Sequence, residues 1–503
     1  MKPRRPDIVQ VRKLEDPAAL RRRLTELGLV LPTDDSVDPA GPLADRLAVG
    51  SLRDLPNRWA ILPMEGWDAS AHGRPTDLVR RRWARFGESG AGLIWGGEAV
   101  AVVHSGRANP NQLCIGADSE RDLGELRSHL IRAHADANGT DPGNQPVVGL
   151  QLTHSGRWAR PDGQPRPRTA WTHPLLDDRC GAGESAVLSD AELEDLVAAF
   201  AAAARVAAAA GFDFVDVKQC HGYLGHELLS AVDRPGPYGG DLAGRTRWIA
   251  TVLDAVRSEA PGLALASRVS LYDMVPFVAG PNGSGVPQQG DPGSSVPFCF
   301  GGDGTGTGVD LTETHQLMDI LAAHGVELVC ATAGSPYYVP HAQRPAFFPP
   351  SDGYRPPEDP LVEVVRMASA TRSVTEMHPD LVVVGSGLTY LQEHLPNVAQ
   401  ALVREGWMHS AGIGRMALSH PSLPADTLAG RAPERRLICR TFSDCTTAPR
   451  NGLVSGCYPL DGFYRQRPER ITLASLKRQV RAARPDGSES SEGEPEGQDP
   501  QAP

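Results

Sequence analysis

The sequence predicts an α/β chain closed into a (β/α)8 barrel, on three observations. Short apolar segments alternate with amphipathic helical ones through most of the chain. The apolar segments number eight, the count at which a parallel sheet closes on itself. No Gly-rich turn follows the first of them, as a dinucleotide-type open sheet would want. The expected strands are 59–62, 92–95, 147–152, 214–218, 265–269, 328–331, 381–385 and 409–413, and helices are expected at 77–89, 121–138, 190–210, 244–260, 311–324, 361–378 and 397–405.

In chain order, Leu20, Leu24 and Leu27 set a helical period over 17–29 that stops at Gly28, and 32–42 reads as a linker. The strongest helix starts at Ser189-Asp190-Ala191-Glu192, a capping box in which Ser189 and Glu192 satisfy each other's backbone donors. Its Ala-rich body has high helix propensity, and Gly211 stands where a left-handed cap belongs. Phe-Asp-Phe-Val-Asp-Val follows at once as a buried strand. The Gly/Pro-rich stretch 276–308 is too long for an ordinary connector, and after a fifth strand it suggests a lid or a substrate-selecting insertion. From 485 onward, Ser, Glu, Gly and Pro without apolar period predict disorder. The expected organisation is an N-terminal extension at 1–42, a barrel at 43–430, a cysteine-containing segment with a helix at 431–484 and an acidic tail at 485–503.

The chain has 503 residues, 40% apolar and 22% charged, enough to bury a large core. Its formal charge is 50 − 61 = −11. Asp486, Glu489, Glu492, Glu494, Glu496 and Asp499 account for −6 of it, which leaves −5 on the rest and no basic footprint for nucleic acid. No run approaches the roughly 18–20 apolar residues of a membrane span. The basic start lacks the apolar core of a secretory signal, so a cytoplasmic chain is expected. Eight cysteines are too sparse for a disulfide scaffold and read as thiols or ligands.

A barrel carries its chemistry at the C-terminal ends of its strands. Those ends read Pro63-Met64-Glu65-Gly66-Trp67, Gly96-Gly97-Glu98-Ala99, Gln151-Leu152-Thr153-His154-Ser155-Gly156-Arg157 and Lys218-Gln219-Cys220-His221-Gly222-Tyr223. Strand five carries Arg268, and the last two end in Gly385-Ser386-Gly387 and Gly412-Ile413-Gly414-Arg415. Glycines there let backbone N–H groups converge on a phosphate, and Arg415 adds charge.

Six of these pieces in register resemble the Old Yellow Enzyme family of FMN-dependent NAD(P)H oxidoreductases. They are Asn57-Arg58…Pro63-Met64, Gln151-Leu152-x-His154-x-Gly156-Arg157, Ala209-Ala210-Gly211-Phe212-Asp213, His221-Gly222-Tyr223-Leu224, Tyr238-Gly239-Gly240 and Gly414-Arg415 followed by Pro421. The resemblance implies that Pro63, Met64 and Ala99 line the flavin ring, that Gln151 bonds its pyrimidine edge and that Arg268 faces N1 and O2. Gly387, Gly414 and Arg415 would hold the phosphate. His221 matches one of the two side chains that grip the substrate in the family, and Tyr223 the tyrosine that exchanges a proton with it. Two positions depart from the pattern: Lys218 stands where a neutral donor is usual, and Glu65 where a small residue is usual. A Glu65–Lys218 pair across the mouth is the preferred reading.

Further on, Cys439, Cys445 and Cys457 resemble the four-cysteine [4Fe–4S] motif of the branch typified by 2,4-dienoyl-CoA reductase and trimethylamine dehydrogenase, with the second cysteine replaced. Iron–sulfur ligation, with Asp444 as a candidate fourth ligand, zinc binding and simple packing stay open. No Gly-x-Gly-x-x-Gly follows a strand, so that branch's nucleotide-binding domains are not expected within this sequence. Among the remaining candidates, Trp67 and Trp95 are expected as pocket walls, His154 as an orienting group and Cys220 as packing. The function expected is hydride transfer between flavin N5 and a small conjugated or cyclic substrate, with Lys218, His221, Tyr223 and Glu65 as catalytic residues. NAD(P)H, another protein or the substrate itself is the candidate source of electrons, and an electron-transfer partner and self-association are left open. The rival readings are a barrel lyase using Lys218 as a Schiff-base lysine, or a flavin or cluster electron-transfer subunit.

Overall fold

The computed structural model describes residues 7–482; the expectation of a disordered tail from 485 lies outside them. Eight parallel strands form the centre: β1 (Trp59–Ile61), β2 (Leu93–Ile94), β3 (Val147–Thr153), β4 (Phe214–Val217), β5 (Ala264–Ser270), β6 (Val326–Thr332), β7 (Val382–Gly385) and β8 (Ser410–Ile413). Each pairs with the next, and β8 returns to β1 with Ala411 opposite Trp59 and Ile413 opposite Ile61. The sheet is therefore closed and has no edge to protect. Strands such as β3, β4 and β5 are buried along their whole length, because one face meets the barrel interior and the other the helices.

The lower interior is an apolar plug. Ala60, Leu93, Trp95, Val147, Phe214, Ala266, Leu328 and Val384 fill it from the strands, and the hairpin Leu47–Val49/Leu52–Leu55 closes it from below with Leu47, Val49 and Leu55. Trp95 and Phe214 pack edge to face at 5.4 Å. Opposite Phe214 in β3 stands Gly149, where an added Cβ would come 2.2 Å from that ring. The chain thus gives one strand position to a glycine so that an aromatic can fill the barrel.

The helix after β3 spans Asp190–Ala209 with both halves of the Ser189/Glu192 capping box formed, and Gly211 follows at φ +82°. The N-terminal helix Pro17–Glu26 docks on the far side, where Arg23 pairs with the buried Asp359 at 2.9 Å. After β8 the chain crosses back toward the mouth. Ser455 N–H donates to Asp68 at 3.0 Å and Arg81 pairs with Asp461 at 2.9 Å, which ties the C-terminal segment to the loop after β1 and to helix Asp77–Gly87. Among the described residues no helix is long and apolar enough to cross a membrane.

Candidate active site

At the C-terminal end of the strands lies a cavity enclosing about 1100 Å³, open solvent included. The loop after β1 brings Pro63, Met64, Glu65 and Trp67 to it, and β3 brings Gln151. Lys218, His221 and Tyr223 come from the end of β4, Arg268 from β5, Gly387 from the turn after β7, and Gly414 and Arg415 from β8 and its exit. Residues far apart in sequence meet here because parallel strands all deliver their C-terminal ends to one rim.

One side of the cavity is a dense polar network centred on Glu65. Its carboxylate accepts from Trp67 Nε1 at 2.8 Å and from the Tyr223 hydroxyl at 3.2 Å, and Lys218 Nζ stands 3.9 Å away. The same ammonium lies 3.8 Å from the centre of the Tyr223 ring. The hydroxyls of Tyr223 and Tyr337 are 3.2 Å apart, and Trp158 stacks on Tyr337 at 4.4 Å. Burial, then the negative charge of Glu65, holds the Tyr223 hydroxyl well above the usual phenol range. His221 is driven well below the usual imidazole range by burial and by Arg268 and Lys218, so it is neutral; Gln343 Nε2 lies 3.2 Å from its Nε2. Trp67 and His221 both sit in the left-handed region, at φ 56° and 67°. Such backbone costs about 1 kcal/mol or more per residue and recurs where side-chain aim matters.

Across the floor, Asp216 fixes a second set of groups. One carboxylate oxygen accepts from Gln151 Nε2 at 2.6 Å and from Trp95 Nε1 at 2.6 Å, and the other accepts the Arg268 backbone N–H at 2.8 Å. Burial raises its pKa, opposed by those donors. The Arg268 guanidinium lines the cavity and its Nε has no partner. At the far end Gly387, at φ +82°, and Gly414 border a space where Arg415 leaves Nη1 unpartnered while Nη2 donates to the Pro345 carbonyl at 2.8 Å. A planar, polar-edged ring with an anionic tail fits this set: a fixed amide and a guanidinium for the ring edge, and two glycines with an unsatisfied arginine for the tail.

Of the residues the sequence singled out, Pro63, Met64, Glu65, Gln151, Lys218, His221, Tyr223, Arg268, Gly387, Gly414 and Arg415 all line this cavity. Ala99 does not; it pairs with Gln151 in a short strand, Ala99–Ala101, and is buried there. Trp67 is a wall as expected, whereas Trp95 belongs to the apolar plug beneath. Cys220 is buried and its thiol is pushed up to about 12, which makes it packing. His154 is buried and neutral, and its Nδ1 accepts the Gly156 N–H. No residue of 276–308 lines the mouth. That stretch forms the hairpin Phe277–Ala279/Gly285–Pro287 and packs sideways, with Phe277 against His341 at 4.5 Å. The mouth is walled instead by Pro336, Tyr337, Gln343 and Arg344 after β6 and by Cys445, Thr446, Pro449 and Arg450 of the C-terminal segment. Of these eight, sequence reasoning singled out only Cys445, and as a candidate cluster ligand; it missed the other seven and Asp216, for which the one available signal was an acid inside an apolar strand.

Cys445 borders the mouth, while Cys439 and Cys457 are buried behind it. Burial pushes the Cys439 thiol up to about 11 against the pull of Arg415. Asp444 Oδ1 accepts from Lys477 Nζ at 2.9 Å. Among the described residues no three His, Cys, Asp or Glu side chains are gathered to hold a metal ion. After burial, the neighbouring Cys439 and Cys445 nevertheless help to raise the Cys457 thiol well above its usual range, so the three cysteines lie near one another.

Residues 46–277 match the NADH:flavin oxidoreductase / NADH oxidase family. A NADH:flavin oxidoreductase of Gibberella zeae is 27% identical over 56% of this chain and 64% of its own length. An NADPH dehydrogenase of a Geobacillus species is 34% identical over 36% of this chain and 48% of its own. The chain thus spans less than two thirds of these curated relatives. Among solved structures, a 2-naphthoyl-CoA reductase superposes with a TM-score of 0.62 at 16% identity, over 87% of this chain and 58% of that one. An old yellow enzyme homologue from Zymomonas mobilis gives 0.52 at 20% identity, over 77% and 92%. At these identities the structures speak for the barrel fold.

Proposed function

We propose that this chain, whose residues 46–277 match the NADH:flavin oxidoreductase / NADH oxidase family, is an FMN-dependent oxidoreductase acting on a small conjugated or cyclic organic substrate, with NAD(P)H as reductant. The observation that carries the proposal is the convergence of Gln151, Arg268, Gly387, Gly414 and Arg415 with Lys218, His221 and Tyr223 on one cavity. The family match does not favour a Schiff-base lyase or an electron-transfer subunit, and Lys218 is already engaged by Glu65 and the Tyr223 ring.

FMN held here supplies hydride exchange at N5. Pro63 and Met64 would line its ring through backbone groups, Gln151 and Arg268 would hold the pyrimidine edge, and Gly387, Gly414 and Arg415 the phosphate. Arg268 favours negative charge on that edge, because a guanidinium in a water-poor site stabilises an anion strongly. Lys218 and the neutral His221 bind the polar group of the substrate; two donors of different charge polarise it more than a neutral pair would.

Tyr223 moves the proton. A phenol held this far above its ordinary range does not ionise by itself at neutral pH. Its hydroxyl already points at a carboxylate, so a proton taken from the substrate at Tyr223 Oη passes a second proton to Glu65 Oε2 in the same movement. In the opposite direction Glu65 reloads the phenol as Tyr223 donates. Lys218 steadies the carboxylate in either state. An anaerobic stopped-flow experiment tests the proposal. The FMN-loaded chain should bleach near 450 nm with NADH or NADPH and recover its colour with 2-cyclohexenone; a flavin that neither pyridine nucleotide reduces would refute it.

A further inference from the structure

The charges around the mouth do not balance. Glu65 is the one carboxylate among the described lining residues, against Lys218, Arg268, Arg344, Arg415 and Arg450. Lys218 has Glu65, and Arg450 has Asp352 at 2.6 Å. Arg268 and Arg415 are accounted for by the ring and phosphate of the flavin proposed above. Arg344 is left. Its Nη1 donates to the Thr446 hydroxyl, its Nη2 is buried without a partner, and it has no ion pair with a carboxylate of the described residues. Arg415 is its neighbour, bonded to the Pro345 carbonyl, and leaves its own Nη1 unpartnered as well. Burial, then the like charges of Arg450 and Arg415, pull the Arg344 pKa below the usual guanidinium value.

A guanidinium removed from water beside two others, with a hydroxyl as its one side-chain partner, is costly unless an anion arrives. The fork of an arginine matches a phosphate or carboxylate better than any neutral group. Arg344 also lies between the two halves of the site. Gln343, the residue before it, reaches His221 at 3.2 Å, and Arg450 stands 5.5 Å over the Tyr337 ring.

We infer that Arg344 and Thr446, backed by Arg450, form an oxyanion subsite at the seam between the loop after β6 and the C-terminal segment. The group it takes is a phosphate or a carboxylate, from the cofactor's own tail or from an acid group on the substrate. Only the occupant rests on the flavin reading; the subsite itself does not.

The test uses the full chain, stripped of bound small molecules, as wild type, Arg344→Gln and Arg344→Lys. Inorganic phosphate should raise the melting temperature of the wild type by several degrees, that of R344K less, and that of R344Q hardly at all. FMN and riboflavin titrations then identify the source. If the anion is the cofactor's phosphate, R344Q weakens FMN at least 10-fold while riboflavin affinity is unchanged. If it is the substrate's, both flavins bind R344Q as before, and benzoate loses at least 10-fold in affinity while benzamide does not. Phosphate stabilisation without binding of either flavin by the wild type would sink the cofactor reading and leave the subsite standing. Equal behaviour of wild type and R344Q toward phosphate, FMN and benzoate overturns the inference. Should R344Q fail to fold, Thr446→Val removes only the hydroxyl that holds Arg344, and the same comparisons apply to it.

Discussion

The two ends of the mouth handle charge in opposite ways. Around Tyr223 the chain supplies both signs: Glu65 takes hydrogen bonds from Trp67 and Tyr223 and pairs with Lys218. Around Gly387 and Gly414 it supplies only cations, and Arg415 and Arg344 each keep a buried nitrogen with no partner. A carboxylate hydrogen-bonded to the phenol can take a proton from it and give one back, with Lys218 beside it. A set of arginines without carboxylates is instead prepared to hold an anion brought from outside. The difference separates the end that reacts from the end that binds.

Substitutions at the two ends should therefore separate rate from affinity. Tyr223→Phe removes the proton carrier and should slow the substrate half-reaction roughly 10²- to 10⁴-fold, with flavin content unchanged, as read by anaerobic stopped-flow. Glu65→Gln should slow the same step less, roughly 10- to 100-fold, and Glu65→Asp, which keeps the carboxylate, should recover most of it. Equal rates for E65Q and wild type would show that Tyr223 exchanges its proton elsewhere. At the binding end, Arg415→Ala removes a charge-assisted contact of about 1.5–3 kcal/mol. It should weaken FMN roughly 10- to 100-fold and leave the reaction rate of the flavin-saturated enzyme little changed.

Behind both ends, a substitution at Asp273 should move neither rate nor affinity but the pH dependence of stability. Burial holds its carboxyl up to about 7 although Tyr338 donates to it at 2.5 Å. The folded chain thus keeps a proton that the unfolded chain releases near 3.8. That contribution to stability is complete below about pH 4 and is lost as pH rises through about 7, at most about 4 kcal/mol. Asp273→Asn should flatten the dependence of melting temperature on pH across this window; an unchanged slope would mean that Asp273 is ionised in the folded chain.

The barrel was legible because strands buried on both faces appear as apolar runs, and eight of them alternate with helices that carry their own caps, as Ser189 and Glu192 do. The Glu65–Lys218 pair was legible because each stands at the end of a strand, and strand ends share one rim. Asp216 was not. An acid in the middle of β4 acquires its meaning only from Trp95, Gln151 and the Arg268 backbone on other strands. Tyr337 and Arg344 lie on irregular loops and Arg450 ends the short helix Asp444–Arg450, with no period or spacing to mark them, and their positions depend on how these segments fold over the rim. The stretch 276–308 misled for the same reason: its length suggested a lid, but length does not say which way a loop packs.

The central claim is that this mouth holds FMN, and the most direct test is to measure released flavin per chain on protein purified without added cofactor and again after incubation with excess FMN. The account predicts about one FMN per chain with an absorbance maximum near 450 nm. A folded chain that remains colourless after incubation with excess FMN would contradict it.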